Sequence, residues 1–131
     1  KYFLKVPETT DLKEYNEWYG KLKENKLQDT DVTVKLAYQI EANGYHGRSF
    51  EDSFISQNLE NIKTMKDNIN GLKNKNSLDS VVSDYYDLTK NVLKEKGKSD
   101  FASSLLFLAL TEKVEWKTPS YIEAGLKWIA E

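Results

Sequence analysis

The stretch of sequence that decides the fold runs from residue 32 to residue 54 and reads VTVKLAYQIEANGYHGRSFEDSF. Its first part alternates apolar residues with polar or small ones, the apolar positions being Val32, Val34, Leu36 and Tyr38. Alternation with a period of two in a β-branched run is typical of a strand. Residues 41–47 then predict a loop, after which Ser49 is placed to cap a helix with Asp52 at its third position. A strand, a glycine-flanked loop and a helix are therefore expected in succession.

The rest of the chain is predicted to be mostly helical. Apolar residues recur at three- and four-residue steps, the pattern of amphipathic helices. The predicted helices cover residues 11–25, 50–72, 77–93 with a Ser77 cap, 100–112 with a Ser99 cap, and 118 onward. Asp11 with Glu14 three residues later resembles a capping box at the start of the first helix. Gly97 is expected to end the third helix in the left-handed conformation. The fourth helix is apolar around most of its circumference and is expected to be buried.

These patterns predict an α+β chain that is predominantly helical. One strand cannot satisfy its backbone groups alone, and the only other strand-like segment covers residues 2–6. We therefore expect the strand at residue 32 to be the last of a sheet whose main body lies upstream, followed by a bundle of about four helices. Residues 1–48 are assigned to the terminal portion of an α/β domain, and residues 49–131 to a C-terminal helical domain packed on it.

Composition excludes several classes of protein. The 131 residues are 39% hydrophobic and 31% charged, which is typical of a folded globular chain. The absence of cysteine excludes disulfides and cysteine-ligated zinc, and neither a secretory signal nor a membrane span is expected. The lack of cysteine also favours the cytoplasm. Because the chain begins with Lys rather than Met, it is expected to be a piece of a longer protein. A formal net charge of −2 does not by itself indicate nucleic-acid binding.

Two segments carry the candidate functional residues. Glu51 lies in the first turn of a predicted helix, where it either stabilises the helix dipole or helps to hold a divalent cation. Arg48, the single arginine among 19 basic residues, either pairs locally with Asp52 or contacts a phosphate. Lys98 follows Gly97 at a sharp corner, where it is either a solvated loop lysine or a stabiliser of a charged phosphoryl transition state. The single histidine, His46, makes a transition-metal site improbable on composition.

Several segments resemble the OLD family of ATP-dependent endonucleases. Residues 34–39 (VKLAYQ) and 43–54 (NGYHGRSFEDSF) are similar to the end of the Toprim domain in that family. Residues 98–102 (KSDFA) and 116–128 (WKTPSYIEAGLKW) are similar to its C-terminal helical segment. The resemblance spans nearly the whole chain, and it implies that residues 1–48 are the terminal portion of a Toprim-like domain.

The resemblance implies a function and a set of site residues. Members of the family couple an N-terminal ABC-type ATPase to a Toprim nuclease, and several, including the Gabija nuclease, act in defence against phage. It implies that Glu51 is a catalytic carboxylate bound to Mg²⁺ or Mn²⁺ and that Lys98 is a catalytic lysine at the scissile phosphate. It further implies that Arg48 is a supporting residue, either for substrate binding or for the positioning of Glu51. DNA, the rest of the same chain and other copies of it are the implied partners.

The resemblance also implies parts that lie outside this chain. ATP would be bound only by the N-terminal domain, and the family's first catalytic glutamate and Asp-x-Asp metal pair should precede residue 1. Residues 29–31 (DTD) precede the predicted strand and do not match that pair. The chain alone is therefore expected neither to cut DNA nor to hydrolyse ATP.

A different class of function fits the same residues. The chain would then be a noncatalytic helical assembly module that uses aromatic faces at Trp116, Tyr121 and Trp128, with Glu51 and Lys98 purely structural. The distance between Glu51 and Lys98 discriminates the two interpretations, because only the nuclease requires the two side chains to be near each other.

Overall fold

The computed structural model describes residues 6–28 and 33–131, which form five α-helices and one small sheet. This composition confirms the predicted α+β, predominantly helical class. The elements are α1 (Leu12–Lys23), β1 (Glu41–Ala42), β2 (Tyr45–His46), α2 (Phe50–Met65), α3 (Tyr85–Val92), α4 (Lys98–Thr111) and α5 (Ser120–Ala130), with 3-10 helices at Lys66–Asn68 and Lys75–Asp79. In the described ranges, no helix has the length and apolar character needed to cross a membrane.

The chain divides into two compact units. One takes the residues up to His46 together with Ser120–Glu131, and the other takes Gly47–Pro119. Helix α5 thus belongs to the same unit as the N-terminal residues. The assignment of residues 1–48 to a Toprim-like domain stays a prediction.

In the first unit, α1 begins as predicted at the Asp11 cap, whose carboxylate accepts a hydrogen bond from the Lys13 backbone N–H at 2.8 Å. The Tyr38 hydroxyl donates to the Leu22 carbonyl at 2.8 Å and so ties the following segment to the end of α1. Helix α5 approaches the same segment closely, since a Cβ added at Gly125 would lie 2.9 Å from the Ala37 Cβ.

The predicted strand is wrong over its described part. Residues 34–40 have no regular secondary structure, and Val32 lies outside the described residues. The Gln28 side chain supplies the reason, because its Nε2 donates to the Leu36 carbonyl at 2.9 Å and its Oε1 accepts from the Leu36 N–H at 2.8 Å. A side chain thus occupies the backbone groups that a neighbouring strand would need. Of the other strand-like segment, 2–6, only Val6 is among the described residues.

A short hairpin forms where a loop was predicted. Strands β1 and β2 pair antiparallel, with Glu41 opposite His46 and Ala42 opposite Tyr45. Asn43 and Gly44 connect them with φ angles of 52° and 75°. Two successive positive φ angles at Asn-Gly are those of the turn that best matches strand twist.

In the second unit, helices α2, α3 and α4 and the segments between them share one core. Its buried apolar residues are Phe54, Ile55, Ile62, Ile69, Leu72, Leu78, Val92, Leu93, Phe101, Leu105 and Leu108. Phe101 is fully buried and meets Phe54 edge to face, with ring centroids 6.2 Å apart. Edge-to-face packing suits the opposite charges of a ring's edge and face.

Three predicted helix boundaries in this unit are wrong. Helix α2 ends at Met65. The apolar residues that follow it are buried, but they lie in 3-10 helices and extended segments. Ser77 lies inside a 3-10 helix, and α3 begins only after Asp84, whose carboxylate accepts from the N–H groups of Tyr86 and Asp87. Gly97 has φ −97° and stands at the N-cap of α4, so it neither ends a helix nor adopts the left-handed conformation.

Helix α4 begins at Lys98, before the predicted Ser99 cap, and only one side of it is buried. Leu106, Phe107 and Leu110 on its other side are 62%, 63% and 63% exposed, so the predicted burial of the whole helix is wrong.

Asn58 interrupts the regular geometry of α2 and connects it to the segment after α4. Its φ and ψ angles of −125° and 18° are not helical. Its side chain, which is buried, donates to the carbonyls of Phe54 and Lys117 at 3.0 and 2.9 Å and accepts from the Lys117 N–H at 2.7 Å.

Candidate functional site

Glu51 is placed in the first turn of α2 by the predicted capping box, which the structure confirms. The Asp52 carboxylate is fully buried and accepts hydrogen bonds from the Ser49 backbone N–H and hydroxyl, both at 2.6 Å, and from the Arg48 backbone N–H at 2.9 Å. Because these bonds use donors that the helix start leaves unpaired, they fix the residues around Glu51.

Lys98 is placed at the first turn of α4 by a close contact between two glycines. A Cβ added at Gly71 would lie 2.3 Å from the Gly97 carbonyl oxygen, and one added at Gly97 would lie 2.6 Å from the Gly71 carbonyl oxygen. Gly71 also has φ 82°, a conformation that favours glycine. Its carbonyl accepts from the Lys94 N–H at 2.9 Å, which holds the segment leading into α4.

The structure brings Glu51 and Lys98 together. The Lys98 Nζ lies 3.2 Å from the Glu51 Oε2, although the two residues are 47 positions apart in the sequence. The Glu51 side chain is 13% exposed and that of Lys98 is 64% exposed. The distance condition of the nuclease interpretation is therefore met, while the catalytic roles of both residues stay predictions.

Arg48 lies beside the same pair and contacts an aromatic ring. Its guanidinium carbon lies 4.5 Å from the centroid of the Tyr86 ring, and the Lys90 ammonium lies 5.0 Å from the same centroid. Both distances are within the range of cation–π attraction. Its predicted substrate-binding role stays a prediction.

These side chains line one cleft of about 430 Å³. Its charged lining residues are Arg48, Glu51, Lys90, Lys94, Glu95 and Lys98. Its four cationic side chains and two carboxylates give the cleft a formal charge of +2, whereas the whole chain has a formal net charge of −2. A concave surface with an excess of one charge concentrates the field and attracts ligands of the opposite charge. The cleft is therefore suited to an anionic ligand.

Sequence reasoning missed three residues of this cleft, Tyr86, Lys90 and Lys94. Tyr86 and Lys90 are four residues apart on α3, a spacing that places side chains on the same helix face. Lys90, Lys94 and Lys98 also follow one another at four-residue steps. These spacings could have indicated a shared surface for the lysines and Tyr86. Nothing in the sequence showed that this surface lies next to Arg48.

The donors in the described part of the chain do not make a metal site by themselves. No three His, Cys, Asp or Glu side chains are grouped there for metal binding. Mg²⁺ requires about six oxygen ligands, and Glu51 is ion-paired with Lys98. Residues 29–31 lie outside the described residues. His46 is engaged locally, since its Nε2 lies 2.8 Å from the Gln39 carbonyl oxygen and its Nδ1 lies 3.2 Å from the Tyr19 hydroxyl.

Comparison with known proteins gives a relation to a nuclease. The chain is similar to endonuclease GajA of Bacillus cereus (strain HuB5-5). The two sequences are 31% identical over 130 residues, which cover 92% of this chain and 19% of GajA. The chain thus spans about a fifth of the length of the curated relative that it matches. No family model and no solved structure matches the chain.

The similarity to GajA supports the predicted relation to OLD-like nucleases at the level of an endonuclease. It does not test the Toprim fold, the metal, the ATPase or the site residues. These finer assignments stay predictions.

Proposed function

We propose that this chain is part of a DNA endonuclease of the OLD/Toprim type that acts in the cytoplasm in phage defence or DNA processing. The observation that carries the proposal is the 3.2 Å pair of Lys98 and Glu51 at a cleft of net positive charge, in a chain similar to an endonuclease. Lys98 would contact the phosphate that is cleaved, Glu51 would supply a carboxylate to the site, and Arg48 would bind the DNA backbone.

Lys98 has the properties needed for contact with a phosphate. Its side chain is largely exposed, and it stands in the first turn of a 14-residue helix, where the backbone N–H groups and the helix dipole favour anions. A fixed cation at a phosphoryl group stabilises the charge that develops in the transition state. Glu51, whose Oε2 lies 3.2 Å from the Lys98 Nζ, would orient the ammonium for the DNA.

A metal ion at Glu51 would need further ligands from outside the described residues. Mg²⁺ or Mn²⁺ bound partly by Glu51 would supply charge neutralisation at the phosphate. The described residues offer too few oxygen donors for that ion, so the remaining ligands would have to lie outside them. Likewise, ATP would bind to a domain outside this chain.

The experiment is divalent-metal-dependent DNA cleavage by the full-length protein that contains these residues, with Lys98→Ala and Glu51→Ala as variants. We expect each folded variant to lose activity by about 10²-fold or more, equivalent to about 2.7 kcal/mol of transition-state stabilisation. Lys113→Asn is the matched control, because it removes one positive charge beyond the other end of α4, and Asn tolerates the φ of 55° found there.

Unchanged cleavage by both folded variants would show that the segment is structural. The chain of 131 residues alone is expected to show no cleavage and no ATP hydrolysis. Metal-dependent cleavage by that chain alone would overturn the idea that it supplies only part of the active site.

A second candidate function, assembly with another copy of the chain, is favoured by the exposed side of α4. No charged residue interrupts the helix between Asp100 and Glu112, and its exposed apolar residues are spaced at one helix face.

The three aromatic residues that the sequence suggests for assembly are less accessible than the exposed side of α4. Trp116 is half-buried, packs on Phe54 and donates from its Nε1 to the Leu105 carbonyl at 2.9 Å, and Tyr121 and Trp128 are also half-buried. Sedimentation of the full-length protein tests the α4 surface directly. Phe107→Glu should shift the mass toward the monomer, and an unchanged mass would exclude this surface as the interface.

A further inference from the structure

The cleft holds a second feature beside the Glu51–Lys98 pair, an aromatic ring shared by two cations. Tyr86 lies in the first turn of α3, and both Arg48 and Lys90 lie within 5.0 Å of its ring centroid. Arg48 immediately precedes Ser49, the cap residue of α2, and Lys90 lies one turn after Tyr86 in α3. The ring therefore contacts cations from two separate elements.

The carboxylate that pairs with Lys90, that of Asp87, neutralises it only weakly. The Lys90 Nζ is 4.0 Å from the Asp87 Oδ1, and the two side chains are 63% and 75% exposed. Exposed pairs of this kind contribute little and are screened by salt. Glu51 already pairs with Lys98. Arg48 and Lys90 thus lie against the ring and can each bind an anion from outside the chain.

We propose that Tyr86 positions Arg48 and Lys90 as a clamp for the sugar–phosphate backbone of DNA, continued by Lys94 towards Lys98. This inference rests on the proposed function, since it extends the substrate contact beyond the phosphate at Lys98. Arg48 and Lys90 are the contacting groups, and Tyr86 is a positioning residue. The clamp recognises the charge of the DNA backbone and not the base sequence, because its cations are suited to bind phosphates.

The ring provides preorganisation. A long cationic side chain in solution loses rotamer freedom when it binds a phosphate, and a side chain that already lies against an aromatic ring has less freedom to lose. Tyr86 should therefore strengthen DNA binding although it carries no charge. This consequence separates the clamp from a set of independent surface lysines.

The test measures the affinity of the full-length protein for a short fluorescent DNA duplex without divalent metal, so that no cleavage occurs. Each phosphate contact contributes about 0.9 to the slope of log affinity against log salt. Loss of one contact in Lys90→Ala should therefore reduce the affinity ratio between about 50 and 200 mM salt by about 3.5-fold. Lys113→Asn, which removes an equal charge away from the cleft, should leave this ratio unchanged.

Two substitutions of Tyr86 complete the experiment. Tyr86→Leu removes the ring, and it should lower affinity by about 2- to 5-fold and also reduce the salt slope, although no charge has changed. Tyr86→Phe keeps the ring face and should restore both values. A merely structural role would lower the active fraction of protein without changing the slope.

The outcomes separate the clamp from the nuclease proposal. Unchanged affinity and slope in Lys90→Ala and Tyr86→Leu would overturn the clamp, even if Lys98→Ala abolished cleavage. Equal effects of Lys90→Ala and Lys113→Asn would also overturn it, because the contribution would then be nonspecific charge. Failure of the nuclease proposal has a different signature, which is unchanged cleavage in the Lys98 and Glu51 variants.

Discussion

Substitution of Gly71 by Ala tests whether the contact between two glycines positions Lys98. Gly71 has φ 82°, which costs an L-residue with a side chain about 1–2 kcal/mol. The new Cβ would also lie 2.3 Å from the Gly97 carbonyl oxygen and 2.9 Å from the Phe101 backbone nitrogen. Both neighbours are backbone atoms, so the chain itself must move, at a typical overpacking cost of about 1–3 kcal/mol.

We therefore expect Gly71→Ala to lower the free energy of unfolding by about 2–5 kcal/mol. Urea unfolding of the chain, followed by circular dichroism, measures this change. Two other glycines give matched controls. Gly44→Ala has positive φ but open space, so only the cost of about 1–2 kcal/mol is expected. Gly20→Ala lies within α1 with nothing near its Cβ, so it should stabilise by about 0.5–1 kcal/mol.

Equal destabilisation by Gly71→Ala and Gly44→Ala would refute the steric part of this reasoning. The glycine contact would then not be what fixes the start of α4. In the full-length protein, Gly71→Ala should also lower cleavage, because displacement of α4 moves Lys98 away from Glu51.

Three further predictions concern single side chains. Asp52→Ala leaves the donors at the start of α2 unpaired, including the Ser49 N–H, and should cost about 3 kcal/mol in urea unfolding. Asn58→Ala removes both hydrogen bonds to Lys117 and should cost about 2 kcal/mol, with faster hydrogen exchange at the Lys117 amide as the local readout. Burial raises the pKa of Tyr38, so its contribution to stability is complete below its unfolded pKa of about 10 and is lost as pH rises through the higher folded value. The stability difference between wild type and Tyr38→Phe, about 1 kcal/mol at neutral pH, should therefore shrink above that pH.

Local interactions in this chain could be predicted from sequence. Asp11 caps α1, and Ser49 with Asp52 caps α2, because a cap depends on residues within a few positions of one another. Glu51 and Lys98 were candidates because of their positions at a helix start and after a glycine, and the resemblance added the catalytic roles. The structure places the two side chains 3.2 Å apart, and their catalytic roles stay predictions.

The errors have causes outside the local sequence patterns. The alternation around Leu36 predicted a strand, but the side chain of Gln28 bonds both backbone groups of Leu36, and a periodicity rule does not include such a competitor. The apolar pattern after Met65 correctly marked buried residues but not helix, because burial can be achieved from extended segments. The approach of Gly71 to Gly97 depends on how distant segments pack, so sequence placed the left-handed glycine at Gly97 instead.

The hydrogen bonds that join distant parts of the second unit have a consequence for its synthesis. Glu51 meets Lys98 across 47 positions, and Asn58 bonds to Lys117 across 59. Contacts of such sequence separation form only after the intervening chain has been ordered, and they slow folding relative to local contacts. A nascent chain that ends before Lys98 has the first turn of α2 but lacks the cation that pairs with Glu51. Translation that stopped before residue 98 would thus release a polypeptide that has the residues of the α2 cap but lacks α4 and the Glu51–Lys98 pair.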